Sequence, residues 1–360
     1  MSKVYVLGAG AAASYKGSYL KETSPVAKNF FQKAMRLLDI HQIRDRHFAD
    51  EQLQYEEIFC FIEKLWGIPR EDIGQSDLDM EEVLTLLNIE IEEDVDGRDR
   101  LLRAYEEYLL LMALTFDKIL YGPPCPHHRA IARSLKPGDA IISFNYELLM
   151  DYALRDLKGA TANWSIRDGY GIPCQDITHH KHHKNDNGQP SNVHLYKLHG
   201  SLNWLFCPQC GQLYSYDHSD EKGHSRIISG MANLIKCSTE HCCKHLSRVI
   251  IPPTLMKNYQ SIPFIPDLWR QARGKLAQAT EIIVIGYSFP PTDFRSNWMF
   301  RKAITQNKVL KRVVVVDSAE GYQLERLLAK HKSIFRVQEV DYYPDIDKFT
   351  EMLPLETNIG

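Results

Sequence analysis

Short apolar runs recur along this chain, and each ends in a small or polar turn. Lys3–Leu7 leads into Gly8-Ala9-Gly10, residues 139–144 into Asn145, and residues 193–198 into His199-Gly200. Glu281–Ile285 leads into Gly286-Tyr287-Ser288, and Arg312–Val316 into Asp317. Continuous Val and Ile runs fit strands buried on both faces, as in a parallel sheet covered by helices. The turns then sit at strand C-termini, where open α/β sheets bind ligands.

A different period fills the interval between the first two runs. From residue 24 to 120, apolar residues return at three- and four-residue spacing, most clearly over 51–66, 78–91 and 98–120. That spacing predicts amphipathic helices, closed off by Gly122-Pro123-Pro124. The acidic runs 77–82 and 90–96 read as solvated helix faces. His127 and His128 are expected at the surface, and Asp293, after Pro290-Pro291-Thr292, as a helix cap bordering any pocket. His179-His180-Lys181-His182-His183 lies in a polar stretch where nothing predicted would fix the imidazoles, so it reads as a loop.

Composition narrows the class. At 360 residues, the chain has room for about two domains or one large domain with insertions. A 44% hydrophobic and 25% charged balance excludes a disordered or fibrous chain. The net charge of −3 gives no global attraction to nucleic acid or anionic membrane, and no direct nucleic-acid binding is expected. Apolar stretches fall short of the ~20 residues a bilayer needs. The apolar core near the N-terminus is shorter than the ~7–15 residues of a secretory signal, so a cytoplasmic protein is expected.

Five of the 8 cysteines crowd between residues 207 and 243. In a reducing compartment, clustered pairs read as a metal site rather than disulfides. Cys207-Pro208-Gln209-Cys210 forms one knuckle. Cys237 and Cys242 form the second at the usual spacing, with Cys243 and His241 as rivals for the last place. Four thiolates would fill a tetrahedral zinc and leave no open position, so the zinc is expected to be structural.

The turn at residues 8–14 fits the start of a nucleotide-binding βα unit. Glycines allow a tight turn and close phosphate approach, and the helix N-terminus favours the anion. Ala13 stands where the third glycine of Gly-x-Gly-x-x-Gly would be, so the pattern alone is weak.

Taken together, these motifs resemble the sirtuin family of NAD-consuming enzymes. Gly8-Ala9-Gly10-Ala11 resembles its first phosphate turn, and Phe144-Asn145-Tyr146-Glu147 its Gln-Asn-Ile-Asp segment. Leu198-His199-Gly200-Ser201 resembles the segment of its catalytic histidine, followed by the zinc knuckle at Cys207 and Cys210. Gly286-Tyr287-Ser288 resembles its Gly-Thr-Ser turn, and Val316-Asp317 the strand end near the adenosine. The departures are a missing Gly-Ile-Pro-Asp-Phe-Arg stretch over 14–20, Glu147 in place of aspartate, and the helical block. Phe144-Asn145-Tyr146, Asn203-Trp204 and residues 286–293 resemble a divergent bacterial branch. That branch is implicated in anti-phage defence, hydrolysing NAD in oligomers or with partners such as HerA-type ATPases.

The resemblance implies a Rossmann-like α/β fold with a mostly parallel sheet flanked by helices. Residues 1–23, 122–205 and 246–360 would form the NAD-binding domain, 24–121 a helical insertion and 206–245 a zinc-ribbon-like module. NAD would be the substrate and zinc a structural ion. Asn145 would hold the ribose and orient water, and His199 would act as general base. Gly8, Ala9, Gly10, Ala11, Ser14, Gly286, Tyr287 and Ser288 would hold the pyrophosphate and adenosine, and Asp317 a ribose hydroxyl. The expected activity is NAD cleavage to nicotinamide and ADP-ribose by a homo-oligomer or with a defence partner. Deacylation or ADP-ribosyl transfer, and non-catalytic sensing of NAD or ADP-ribose, are the rival readings.

Overall fold

A computed structural model describes residues 2–39, 55–94, 97–157, 161–177, 188–215, 235–240, 242–251 and 262–353. The histidine-rich stretch 179–183 and His241 lie outside the described residues.

In chain order the first elements are β1 (Lys3–Leu7), α1 (Ala9–Ala13), α2 (Phe30–Asp39), α3 (Glu56–Trp66), α4 (Met80–Glu93) and α5 (Arg98–Ile119). They are followed by α6 (Pro126–Ser134), β2 (Ala140–Ser143), α7 (Leu149–Arg155), β3 (Cys174–Asp176), β4 (His194–Lys197), β5 (Gly200–Phe206), β6 (Leu213–Ser215) and β7 (Ser247–Ile250). The last are α8 (Ile265–Gln278), β8 (Glu281–Ile285), α9 (Phe294–Gln306), β9 (Arg312–Val316), α10 (Gly321–Phe335), β10 (Asp341–Tyr343) and α11 (Ile346–Glu351).

The expected parallel sheet is present. Its six strands run in the order β10-β9-β8-β1-β2-β4, every pair parallel. Four successive residues of β1, Val4 to Leu7, are buried, as a strand covered on both faces requires. From β1 the chain builds outward through β2 and β4, then returns to lay β8, β9 and β10 on the opposite side. The order therefore reverses at the β1–β8 boundary, where an open α/β sheet leaves a crevice. Helix α9 packs between α8 and α10, and α6 packs on α7.

A second sheet, in the order β3-β6-β5-β7, was not anticipated. Its strands come from three stretches separated by long intervals, so no local pattern announces it. β5 divides two apolar cores. Trp204 and Phe206 face the core of the large sheet, while Leu205 and Cys207 face the core of the helical block, the alternation a strand imposes. A bulge between Gly200 and Leu205 shifts the register and turns Leu202 toward the helical side.

The helices of residues 24–120 form as their period predicts. Asp79 caps α4, its carboxylate accepting from the Glu81 and Glu82 amides at 2.8 and 3.3 Å. His127 and His128 correct their reading as surface residues, because both are buried. They start α6 after Pro126, where the helix packs inward and charge patterning carries no warning. His128 Nδ1 lies 3.0 Å from Cys125 Sγ, and His127 Nε2 lies 3.3 Å from Asp347.

Burial first, and His127 second, push the His128 imidazole down to about 3. Its unfolded value is about 6.5, so the unfolded chain binds a proton that the folded chain refuses between those limits. The stability this group provides is present above about pH 6.5 and is lost as pH falls. Urea denaturation between pH 7 and pH 4.5 should cost the native chain on the order of 2 kcal/mol more than His128→Gln. Equal losses would refute a buried neutral imidazole.

Candidate active site and cysteine cluster

The turns that follow β1 and β8 interlock at the point where the strand order reverses. The Gly8 amide donates to the Ile285 carbonyl and the Gly10 amide to the Gly286 carbonyl, each at 3.0 Å. A Cβ on Gly8 would stand 2.4 Å from the Gly286 oxygen, and one on Gly10 would stand 2.7 Å from the Gly286 Cα. Gly286 itself has φ +58°, with a Cβ position 2.5 Å from the Ala11 nitrogen. The three glycines thus serve the packing of turn on turn as well as any ligand.

Above this interlock lies a cavity of about 1460 Å³. Of the expected site residues, Asn145, His199, Ala9, Gly10, Ser14, Gly286, Tyr287, Ser288 and Asp317 all border it. Gly8 and Ala11 are buried beneath it, and the Ala11 amide donates to the Gly8 carbonyl at 2.9 Å. Residues 24–28 and a part of α4 with the segment before it wall the other side. Asp77, Asp79, Glu81 and Glu82 also line the cavity, and Asp77 and Glu82 are exposed, as expected of a solvated face.

Asn145 follows β2 and is held by its amide nitrogen. Nδ2 donates to the Gly8 carbonyl at 2.9 Å and to Glu147 Oε1 at 3.1 Å. Both partners are acceptors, which fixes the amide orientation and leaves Oδ1 as the acceptor for a ligand. Glu147 also accepts from the Leu149 amide at 2.5 Å, at the start of α7. Burial pushes its carboxyl up, opposed by the charge of Lys197. Below it, Lys197 and Asp151 form an ion pair at 3.0 Å, each side chain 1% exposed. Asp151 also accepts from the Tyr170 hydroxyl at 2.6 Å.

His199 ends the run begun by β4. Gly200 behind it has φ +81°, and a Cβ there would lie 2.0 Å from the Val249 carbonyl oxygen, so the turn requires glycine. The His199 ring meets Phe144 edge-on, with centroids 5.1 Å apart. Phe144 in turn stacks on Tyr287 at 4.1 Å with 4° between the planes. His199 Nε2 lies 3.3 Å from Asp293 Oδ2. Asp293 is wholly buried, accepts from the Tyr287 hydroxyl at 3.0 Å and caps α9 through the Ser296 amide at 3.3 Å. Burial, then Asp293, holds the Tyr287 phenol far above its ordinary value, so it remains a donor.

Asp293, read from the sequence as a helix cap bordering a pocket, also stands beside His199. Capping is local and legible, whereas its approach to His199 joins turns nearly a hundred residues apart. A carboxylate at this distance can stabilise a protonated imidazole, and Asn145 offers an uncharged acceptor in the same cavity.

The cysteine expectation holds for Cys207, Cys210, Cys237 and Cys242, whose sulfurs all lie within 4.8 Å of one another. Cys207 and Cys242 are 3.4 Å apart, and Cys210 and Cys237 are 3.6 Å apart. Those separations are too long for disulfides and near the ~3.8 Å edge of a tetrahedron with ~2.3 Å zinc–sulfur bonds. The cluster could therefore hold zinc. Cys242 takes the fourth place, and Cys243 is exposed outside the cluster.

Residues 139–335, more than half of the chain, match the model of the SIR2-like domain. A solved structure titled "The Structural basis of Sirtuin Substrate Affinity" is 13% identical, with a TM-score of 0.38, covering 98% of this chain and 92% of that one. A Sir2 structure with the inhibitor EX-527, 2'-O-acetyl-ADP-ribose and a deacetylated p53 peptide is also 13% identical. Its TM-score is 0.36, with coverage of 97% and 91%. No curated protein matches the chain. No helix among the described residues is long and apolar enough to cross a membrane.

Metal analysis of the purified protein should find about one zinc per chain. Cys210→Ser should lose the metal and lower the melting temperature, while Cys243→Ser should keep both. Full zinc retention by Cys210→Ser would refute the assigned ligand set.

Proposed function

The chain belongs to the SIR2-like domain family, and on that premise we propose that it cleaves NAD to nicotinamide and ADP-ribose. The observation that carries this reading is the meeting of Asn145 and His199 at one cavity over the glycine interlock. Membership of the family supports NAD-related chemistry. The rest follows from what these residues can do.

Nicotinamide leaves a cationic nucleoside as a neutral molecule, so no general acid is needed. Water attacks the ribose anomeric carbon as the glycosidic bond breaks, and nicotinamide departs with the bonding electrons. His199 takes the proton from water or from a ribose hydroxyl, and Asp293 steadies the resulting imidazolium. Asn145 Oδ1 accepts from the same water or ribose. The residues at 9–14 and 286–288 border the place for the dinucleotide's phosphates, and Asp317 that for a ribose hydroxyl.

Water rather than an acyl-lysine as acceptor is supported by the helical wall. Residues 24–28 and 77–86 line the cavity, and the stretch that shapes a deacylase pocket is missing from 14–20. A role as an effector of anti-phage defence, alone or with a partner such as a HerA-type ATPase, rests on the resemblance of residues 144–147, 203–204 and 286–293.

Purified protein incubated with NAD, alone and with its genomic neighbour, should release nicotinamide without an acylated peptide. Asn145→Ala and His199→Ala should each lower the rate by about 100-fold or more at unchanged melting temperature. Asp293→Asn should reduce kcat more than KM, since it acts through His199. Absence of turnover in both conditions, or unchanged turnover in the first two variants, would overturn the proposal. Turnover strictly dependent on an acetylated peptide would favour deacylation, and tight binding without cleavage would favour a sensor.

A further inference from the structure

One wall of the cavity has no counterpart in the sirtuin resemblance, because the helical block supplies it. Residues 24–28 and 77–86 form this wall, and the turn Ala27–Asn29 packs on α4. Its place along the cavity follows from the residues it meets. Tyr146, which succeeds Asn145, shares an apolar core with Met80, Val83 and Phe116 and sets its ring centre 6.2 Å from that of His199. Burial first, then Glu81, holds the Tyr146 phenol well above its ordinary value. Glu81 acts in the same sense on Tyr287, after burial and Asp293. Such influence falls with distance, so Glu81 stands at the reactive end with Asn145 and His199. Asp317 and residues 344–347 border the cavity at the ends of β9 and β10.

One polar atom of the helical wall is unsatisfied. Ser24 is 2% exposed and borders the cavity, yet its hydroxyl has no hydrogen-bond partner among the described residues. Buried hydroxyls are rarely left so, and a ligand that pairs with one removes a standing cost. Glu81 is half-buried on the same wall, and a carboxylate only accepts. Met80 and Phe116 add buried apolar surface to this wall, a place for a flat ring. The wall thus offers one hydroxyl, one acceptor and apolar surface across from the groups assigned to the glycosidic bond.

On the reading that the chain cleaves NAD, we propose that Ser24 and Glu81 are specificity residues for the base that leaves. Glu81 accepts from the amide N–H of its carboxamide, and the Ser24 hydroxyl donates to the carboxamide oxygen. The same pair disfavours a dinucleotide whose pyridinium carries a carboxylate in place of the amide. That group has no N–H to give Glu81 and brings a like charge against it. Asp77, Asp79 and Glu82 stand on the same wall and add to the repulsion, while Lys28, exposed, is its one lining cation among the described residues. The substrate class is therefore the amidated pyridinium dinucleotide, NAD rather than its deamidated acid form.

Calorimetric titration of the full chain with ADP-ribose, NAD and deamidated NAD separates this from the cleavage reading. A His199→Ala background prevents turnover during the titration. In that parent, NAD should bind about tenfold or more tighter than deamidated NAD. Adding Glu81→Gln should weaken NAD and strengthen the deamidated form, bringing the two within about threefold. Adding Ser24→Ala should weaken NAD about five- to tenfold at an equal or higher melting temperature, since it removes an unpaired hydroxyl. ADP-ribose lacks the base, so neither addition should change its affinity. Deamidated NAD bound as tightly as NAD, either variant binding NAD like the parent, or NAD and ADP-ribose weakened alike would overturn the proposal. With ADP-ribose still bound by the parent, those outcomes leave the NAD cavity standing. A parent that binds neither NAD nor ADP-ribose would overturn the cleavage reading as well.

Discussion

Everything at the candidate site depends on two turns packed closer than side chains allow. The sheet reverses its order between β1 and β8, so the turns after these strands emerge side by side. Only glycine at 8, 10 and 286 lets them approach, and the backbone hydrogen bonds across them then fix their relative height. Asn145 is tied to this interlock through the Gly8 carbonyl, and Tyr287 leaves it to reach Asp293. The reactive groups therefore inherit their positions from the backbone rather than from flexible loops.

A second constraint lies under the first. Lys197 and Asp151 are buried together, and the pair is satisfied further by Tyr170 and by the carbonyl of Glu147. Losing one partner of such a pair typically costs about 3–5 kcal/mol, because it strands a charge in the core. The network continues through Asn203 to Ser201 and Ser215 in the second sheet. It thereby joins the segment bearing Asn145 to the strand that starts behind His199 and ends at Cys207. The cysteine cluster, which could hold zinc, lies at the far end of that strand.

What was legible in the sequence was local. Apolar runs marked five of the six strands of the large sheet, glycine and polar residues marked their C-terminal turns, and cysteine spacing marked Cys242 over Cys243. Asn145 and His199 were legible because each ends such a run. The closeness of His199 to Asp293 was not, since only tertiary contact brings a helix cap beside a turn nearly a hundred residues away. The second sheet escaped because three-residue strands such as β3 and β6 are below the length at which alternation speaks. His127 and His128 were misread because polarity stood in for exposure, and a buried neutral imidazole costs little when burial suppresses its charge.

The helical block unites what the sequence presented as separate features. Asp79, Glu81 and Glu82 at the start of α4 wall the cavity, while Glu92 and Glu93 at its end are exposed. The 14-residue helix is a rigid rod of about 21 Å. Val83, Leu84 and Leu87 bury its inner side. The start of α4 therefore borders the same cavity as Asn145 and His199, while its inner side is built into the core of the helical block.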